Sequence, residues 1–201
     1  MPRVALTDGQ QGAVAMLQRA LRIDAATLAR LRQRGDHVDI FVQTPFGVFG
    51  SRTAVGTLEG GEVVARAEDL VTALAGGEVA DAQVLWQGVL PPETGFQLVD
   101  EVPAGVVSDL ARKGKDLVRQ FSGPLGPPVS LLNQDVLQVS GGGVEVGIPM
   151  RMIFAAVNLG FVPGAQLDVP RHLRVSANGR WVRLDAAFGT VWYQRGGMSL
   201  F

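Results

Sequence analysis

The residue types that do most acid–base, nucleophilic and metal chemistry near neutral pH are scarce in this chain. Its 201 residues hold no cysteine, two histidines (His37 and His172), one tyrosine (Tyr193) and two lysines (Lys113 and Lys115). Those types supply most general bases, nucleophiles and metal ligands. With the two histidines 135 positions apart and no thiolate, a His/Cys metal site is not expected. No Gly-x4-Gly-Lys-Ser/Thr phosphate loop occurs, and Gly141-Gly142-Gly143 lies in a hairpin context, not the strand–turn–helix context of a dinucleotide site. The inventory therefore implies no cofactor and no catalytic residue, and it points away from an enzyme.

One stretch does gather polar groups. Asn178-Gly179 is a strong hairpin signal, because a two-residue type I′ loop needs two residues that tolerate positive φ. With these as the loop, Ser176 faces Trp181, Val175 faces Val182, Arg174 faces Arg183 and His172 faces Asp185. Leu173, Val175, Val182 and Leu184 then form a core face. His172, Arg174, Trp181, Arg183 and Asp185 fall on the other face, with Ser176 among them. Two guanidinium forks, a stacking surface and a carboxylate beside a histidine suit an anion or nucleotide. The alternative is a solvated sheet face with ordinary cross-strand pairs. A Ser176–His172–Asp185 triad is excluded, because four residues along a strand span ~13 Å and triad partners must be within hydrogen-bond reach.

Periodicity locates the elements that would position these groups. Ala13, Val14, Leu17, Ala20 and Leu21 recur at helical spacing, with Thr7 or Asp8 as a cap. Residues 25–34 read as helix or strand, with the strand favoured because alternating Val38, Ile40 and Val42 follow. Strands are expected over 46–55, 62–66 and 83–89, with a helix over 68–75 between the last two. Leu90-Pro-Pro-Glu-Thr-Gly95 is the best boundary, dividing the chain into lobes 1–90 and 91–201. Beyond it come a strand to Val102, a helix over 104–121, a hairpin over 136–148, a buried helix over 150–159 and three C-terminal strands. The helix 104–121 carries a basic flank of Arg112, Lys113, Lys115 and Arg119, and an interior Gly114 that costs roughly 1 kcal/mol relative to Ala. The expected architecture is α+β: antiparallel meanders and hairpins packed with about four helices in two intimately associated lobes.

Charge is segregated. Residues 57–101 hold nine acids against one arginine, whereas residues 1–56 and 136–201 each carry a net +3. Separate signed patches steer partners and orient assembly. No apolar run is long and unbroken enough to span a bilayer, and the N-terminus has no signal-type core, so a cytoplasmic protein without membrane contact is expected.

Three segments resemble an uncharacterised actinobacterial protein family: Thr44-Pro-Phe-Gly-Val-Phe-Gly-Ser-Arg-Thr53, Leu90-Pro-Pro-Glu-Thr-Gly95 and Gly179-Arg-Trp-Val-Arg-Leu-Asp-Ala-Ala-Phe-Gly189. The resemblance implies a cytoplasmic setting and brings no activity with it. The order helix, strand meander, strand, helix, strand in residues 10–89 is similar in outline to one half of a sliding-clamp domain. The C-terminal Gly197-Met198-Ser199-Leu200-Phe201 resembles the short peptide by which bacterial polymerases dock on that clamp. Met198, Leu200 and Phe201 fill its apolar positions, and Gly197 stands where its glutamine belongs. The leading expectation is a non-enzymatic interaction or regulatory protein with a protein partner or self-association. One alternative is a nucleic-acid or DNA-clamp-associated factor using helix 104–121 and the Arg174/Arg183 face. The other is an enzyme or binder acting on a small anionic ligand.

Overall fold

Alternating apolar residues between glycine turns build the first of two units in the computed structural model, which describes residues 1–80, 82, 85–121, 123 and 126–196. That unit comprises Met1–Pro45 and Phe49–Leu90. Its elements are β1 (Val4–Asp8), α1 (Gln10–Ile23), β2 (Leu28–Arg34), β3 (His37–Gln43), β4 (Phe49–Leu58), β5 (Glu62–Arg66) and α2 (Ala67–Leu74). The ambiguous segment before Gly35 is strand β2, paired antiparallel with β3 and β5. The sheet runs β5-β2-β3-β4-β1. One of its cross-strand rows is Val63, Leu31 and Ile40, all essentially buried. α1 lies on that same face, with Gly9 against Ala54, and buries Ala13, Met16, Leu17 and Ala20. α2 adds Leu70, Ala73 and Leu74.

Two local expectations are corrected here. α1 is capped at Gly9, whose φ of 78° lets Asp8 Oδ1 accept from the Gly9 N–H. Asp8 thus sits one residue outside the cap, and its carboxylate serves the turn. Within the segment expected as strand 83–89, residues 85–89 are not strand, and 83 and 84 lie outside the described residues. Trp86 there stacks on Phe49, with ring centroids 5.3 Å apart, so side-chain packing orders a segment that makes no ladder.

The second unit comprises Phe46–Val48 and the chain from Pro91. It contains β6 (Gln97–Pro103), α3 (Ala104–Phe121), α4 (Val129–Leu132), β7 (Asp135–Gly141), β8 (Val144–Pro149), α5 (Met150–Asn158), β9 (His172–Asn178), β10 (Trp181–Ala186) and β11 (Gly189–Gln194). Strands run antiparallel in the order β6-β9-β10-β11, and β7 pairs with β8 as a separate hairpin. α5 is buried nearly all round. It packs on α3 where Gly114 meets Phe154: a Cβ at Gly114 would lie 2.7 Å from Phe154 Cε1. The helix-interior glycine is therefore a packing requirement that offsets its propensity cost. The fold is α+β with antiparallel sheets, and the described residues hold five helices, one more than expected, because the single turn α4 follows Pro128. No helix among the described residues is long and apolar enough to cross a membrane.

Candidate functional site

The C-terminal hairpin adopts a different register from the one its sequence signals. Asn178 pairs with Trp181, Ala177 with Val182, Ser176 with Arg183, Val175 with Leu184 and Arg174 with Asp185. The loop is thus Gly179-Arg180, with Gly179 at φ 55°. A glycine at the first of two loop residues is a standard tight-hairpin solution. Asn178 stays in β9 because its Nδ2 donates to the Thr94 carbonyl oxygen at 3.0 Å, over the backbone of Gly95. The slip is two residues, and side chains alternate with a period of two, so the face composition survives while every pairing changes.

The consequences for the five candidate residues are specific. Arg174 and Arg183 are not opposite one another. Arg174 lies between Glu101 on β6 and Asp185 on β10, and it is exposed. His172 is opposite Pro103 and exposed, so it is not brought to Asp185. Trp181 is only 7 % exposed, which leaves little of its ring for a ligand. Arg183 Nε donates to Asp185 Oδ2 at 2.9 Å along the same strand. Asp185 Oδ1 accepts from Thr190 Oγ1 at 2.8 Å, from the directly opposite position on β11.

The sequence reading missed the aromatic residues that complete this face. The Arg183 guanidinium lies 4.9 Å from the Phe96 ring centre and 5.6 Å from that of Trp192, and those two rings meet edge to face at 5.4 Å. Arg183 is therefore engaged by a carboxylate and two rings. The only available signal was Trp192 directly opposite Arg183 once a β10–β11 hairpin is drawn; Phe96 lies on a remote loop. The geometry describes a tied polar–aromatic cluster, with Arg174 and His172 as its accessible edge.

A similar cluster lies on the first unit's sheet, on the face opposite α1. Asp39 is buried and accepts from Arg34 Nε at 2.9 Å, from Arg34 Nη2 at 3.0 Å and from Thr53 Oγ1 at 2.7 Å, with Arg32 Nη2 at 3.5 Å. Burial pushes the Asp39 carboxyl up, but the hydrogen bonds from Arg34 and Thr53 and the charges of Arg34 and Arg32 outweigh it and hold the group below its ordinary value. His37, the other histidine, has Nδ1 2.6 Å from Asp36 Oδ1 in the exposed turn before β3.

Helix α3 keeps its basic flank, but two of its four cations are answered on the helix itself: Arg112 by Asp109 at 2.9 Å and Arg119 by Asp116 at 3.8 Å. Beside it, Phe46, Val118, Pro127 and Phe154 line an apolar hollow edged by Lys115 and Arg119. Among the described residues no three His, Cys, Asp or Glu side chains gather as a metal would require. Met198, Leu200 and Phe201 lie outside the described residues.

Residues 91–198 match the family described as Domain of unknown function (DUF8185). The chain belongs to the DUF8185 family. Residues 1–91 of this DUF8185 protein match a second one, Domain of unknown function (DUF8010). No curated protein matches its sequence. Its fold, however, is shared with bacterial replication proteins. A putative DNA polymerase III beta subunit from Eubacterium rectale covers 100 % of the chain at 9 % identity, with a TM-score of 0.60. The DNA polymerase sliding clamp of Bacillus subtilis covers 96 % at 11 % identity and 0.57, and the Caulobacter crescentus pol III beta covers 96 % at 10 % identity and 0.56. The DUF8185 chain spans just under two thirds of those chains, 66, 64 and 65 % respectively. At such identities the likeness is one of fold.

Proposed function

We propose that this protein is a non-enzymatic, clamp-like platform that associates with duplex DNA. The observation that carries the reading is the likeness of the entire chain, through both α+β units, to DNA polymerase sliding clamps. A fold hosts many functions, so the argument needs site chemistry as well. That chemistry favours recognition: the two polar faces are tied arginine–carboxylate clusters, and accessible cations such as Lys113, Lys115 and Arg174 suit phosphate-backbone or acidic-protein contact. In this reading residues 1–90 and 91–201 are the two lobes. His172 and Arg174 form the contact edge of the hairpin face, while Trp181, Arg183 and Asp185 shape it. Met198, Leu200 and Phe201 form a tail that docks on a clamp-type partner, which deletion of residues 197–201 tests.

Fluorescence anisotropy with labelled linear and nicked circular duplexes tests the main reading. Binding that weakens by about tenfold or more from low to physiological salt is expected, as for any protein that displaces counterions from phosphates. Absence of binding to either duplex at low salt overturns it.

A further inference from the structure

The core face of β4 carries a charge where its neighbours carry aliphatic groups. Extending the buried row Val63, Leu31 and Ile40 by one strand reaches Arg52, directly opposite Ile40. Two residues further along β4 on the same face is buried Ala54. Arg52 is half-buried, and its guanidinium lies against α1 at Gly12: a Cβ there would overlap Cζ and Nη2. Gly12 has no left-handed φ to explain it. Gly12 is the third residue of α1, in its first turn, and its missing Cβ leaves room for the arginine.

Arg19 is seven residues beyond Gly12 on α1. Seven residues are almost two full turns, so the two positions share one flank of the helix. Arg19 acts on Arg52 as a like charge, and burial and Arg19 together push the Arg52 guanidinium below its ordinary pKa. Arginine nonetheless keeps its proton in proteins. Three other arginines of this sheet are answered, Arg30 by Glu62 and Arg32 and Arg34 by Asp39, while Arg66 at the end of β5 is exposed to solvent. Buried Arg151 in the second unit donates to the Phe46 carbonyl oxygen and to Asn133 Oδ1 and lies 5.6 Å from the Tyr193 ring centre. Among the described residues neither Arg52 nor Arg19 has a carboxylate or any other acceptor, and the first turn of α1 carries no acid.

We propose that Arg52 and Arg19, arranged on the Gly12 flank of α1, form a binding site for a phosphate group. A tetrahedral phosphate presents oxygens to two guanidinium forks arriving from different elements, whereas one fork already saturates a carboxylate. The phosphate is carried either by a small molecule or by a nucleic-acid backbone. The site does not depend on the clamp-like reading.

Titration of the full chain with inorganic pyrophosphate and, separately, with a short duplex tests it, at fixed ionic strength, by calorimetry and thermal shift. Pyrophosphate at about 10 mM raises the melting temperature of the wild type, as any ligand selective for the native state must. Affinity falls by about tenfold or more in Arg52→Met and less in Arg52→Lys, which keeps the charge but loses the fork. Gly12→Ala keeps both charges, displaces the guanidinium and weakens binding. Arg22→Ala, on the same helix with Arg22 Nε turned to the Gln18 carbonyl oxygen, leaves it unchanged. A wild type that does not respond to pyrophosphate, or an Arg52→Met variant that binds it as well as wild type, overturns the site. If duplex binding falls in parallel in Arg52→Met, the phosphate is a backbone one; if only pyrophosphate binding falls, it is a small-molecule one. A wild type that binds pyrophosphate but no duplex defeats the clamp-like reading and leaves this site standing.

Discussion

Asp39 on β3 belongs to the first unit and Asp185 on β10 to the second, and the two have similar surroundings. Each lies directly opposite a threonine on the next strand, Thr53 or Thr190, and accepts from its hydroxyl. Each also takes an arginine Nε at 2.9 Å, from Arg34 or Arg183. They differ in depth and in what completes the charge balance. The Asp39 side chain is 9 % exposed and has two arginines; that of Asp185 is 30 % exposed and has one, whose other neighbours are the rings of Phe96 and Trp192. Burying a carboxylate is tolerable only where charged donors surround it, and removing a partner from such a set leaves the rest stranded. Near the surface, water takes over most of that work. The same local pattern should therefore be structural at Asp39 and nearly optional at Asp185.

The largest effect is expected at the deeper site. Asp39→Ala should destabilise by about 2–3 kcal/mol, less than the cost of breaking a fully buried pair because Arg34 is itself 45 % exposed. The midpoint and slope of urea unfolding would report it, and a loss no larger than that of Asp185→Ala would end the contrast. The acid limb follows from the same site. A carboxyl held below its unfolded value of about 3.9 contributes stability above that pH, and the contribution is lost as pH falls through the folded value. The stability gap between wild type and Asp39→Asn should accordingly be constant from neutral pH to about 5 and shrink below about 4; a gap that widens on acidification would contradict the lowered value.

Asp185→Ala should cost no more than about 1 kcal/mol, as for a partly exposed pair with one hydroxyl donor. Because Arg183 is also held over Phe96, indole fluorescence should change more than the unfolding midpoint does, and an unmoved spectrum would show that the carboxylate does not place the arginine. The smallest effect is expected at Arg52. Arg52→Met should leave stability within about 0.5 kcal/mol of wild type or raise it, since it removes a half-buried cation with no acceptor among the described residues. A destabilisation comparable to that of Asp39→Ala would mean that Arg52 is already satisfied.

Much of the scaffold was legible from pattern. Helix α3 over 104–121, the hairpin closed at Gly142-Gly143 and the buried α5 after Pro149 follow from spacing and from helix and turn signals that act within a few residues. The hairpin face was legible in composition only. The tie from Asn178 to Thr94, a partner 84 positions away, moved its register by two. Arg52 was illegible for another reason. The run Phe49-Gly50-Ser51-Arg52-Thr53-Ala54-Val55-Gly56 alternates too weakly to say which face is inside, and arginine is ordinarily assigned outward.

What the sequence determined alone is what local chemistry determines: the α+β class, the antiparallel hairpins, the scarcity of catalytic side chains and which residues share a strand face, because side-chain period is a property of the backbone. Only the tertiary structure decided which arginine meets which acid. Arg183 found Asp185, two glycines became seats for Phe154 and for a guanidinium, and Arg52 with Arg19 found no acceptor among the described residues. Charges are matched by distance in space, and residues far apart in the chain set those distances.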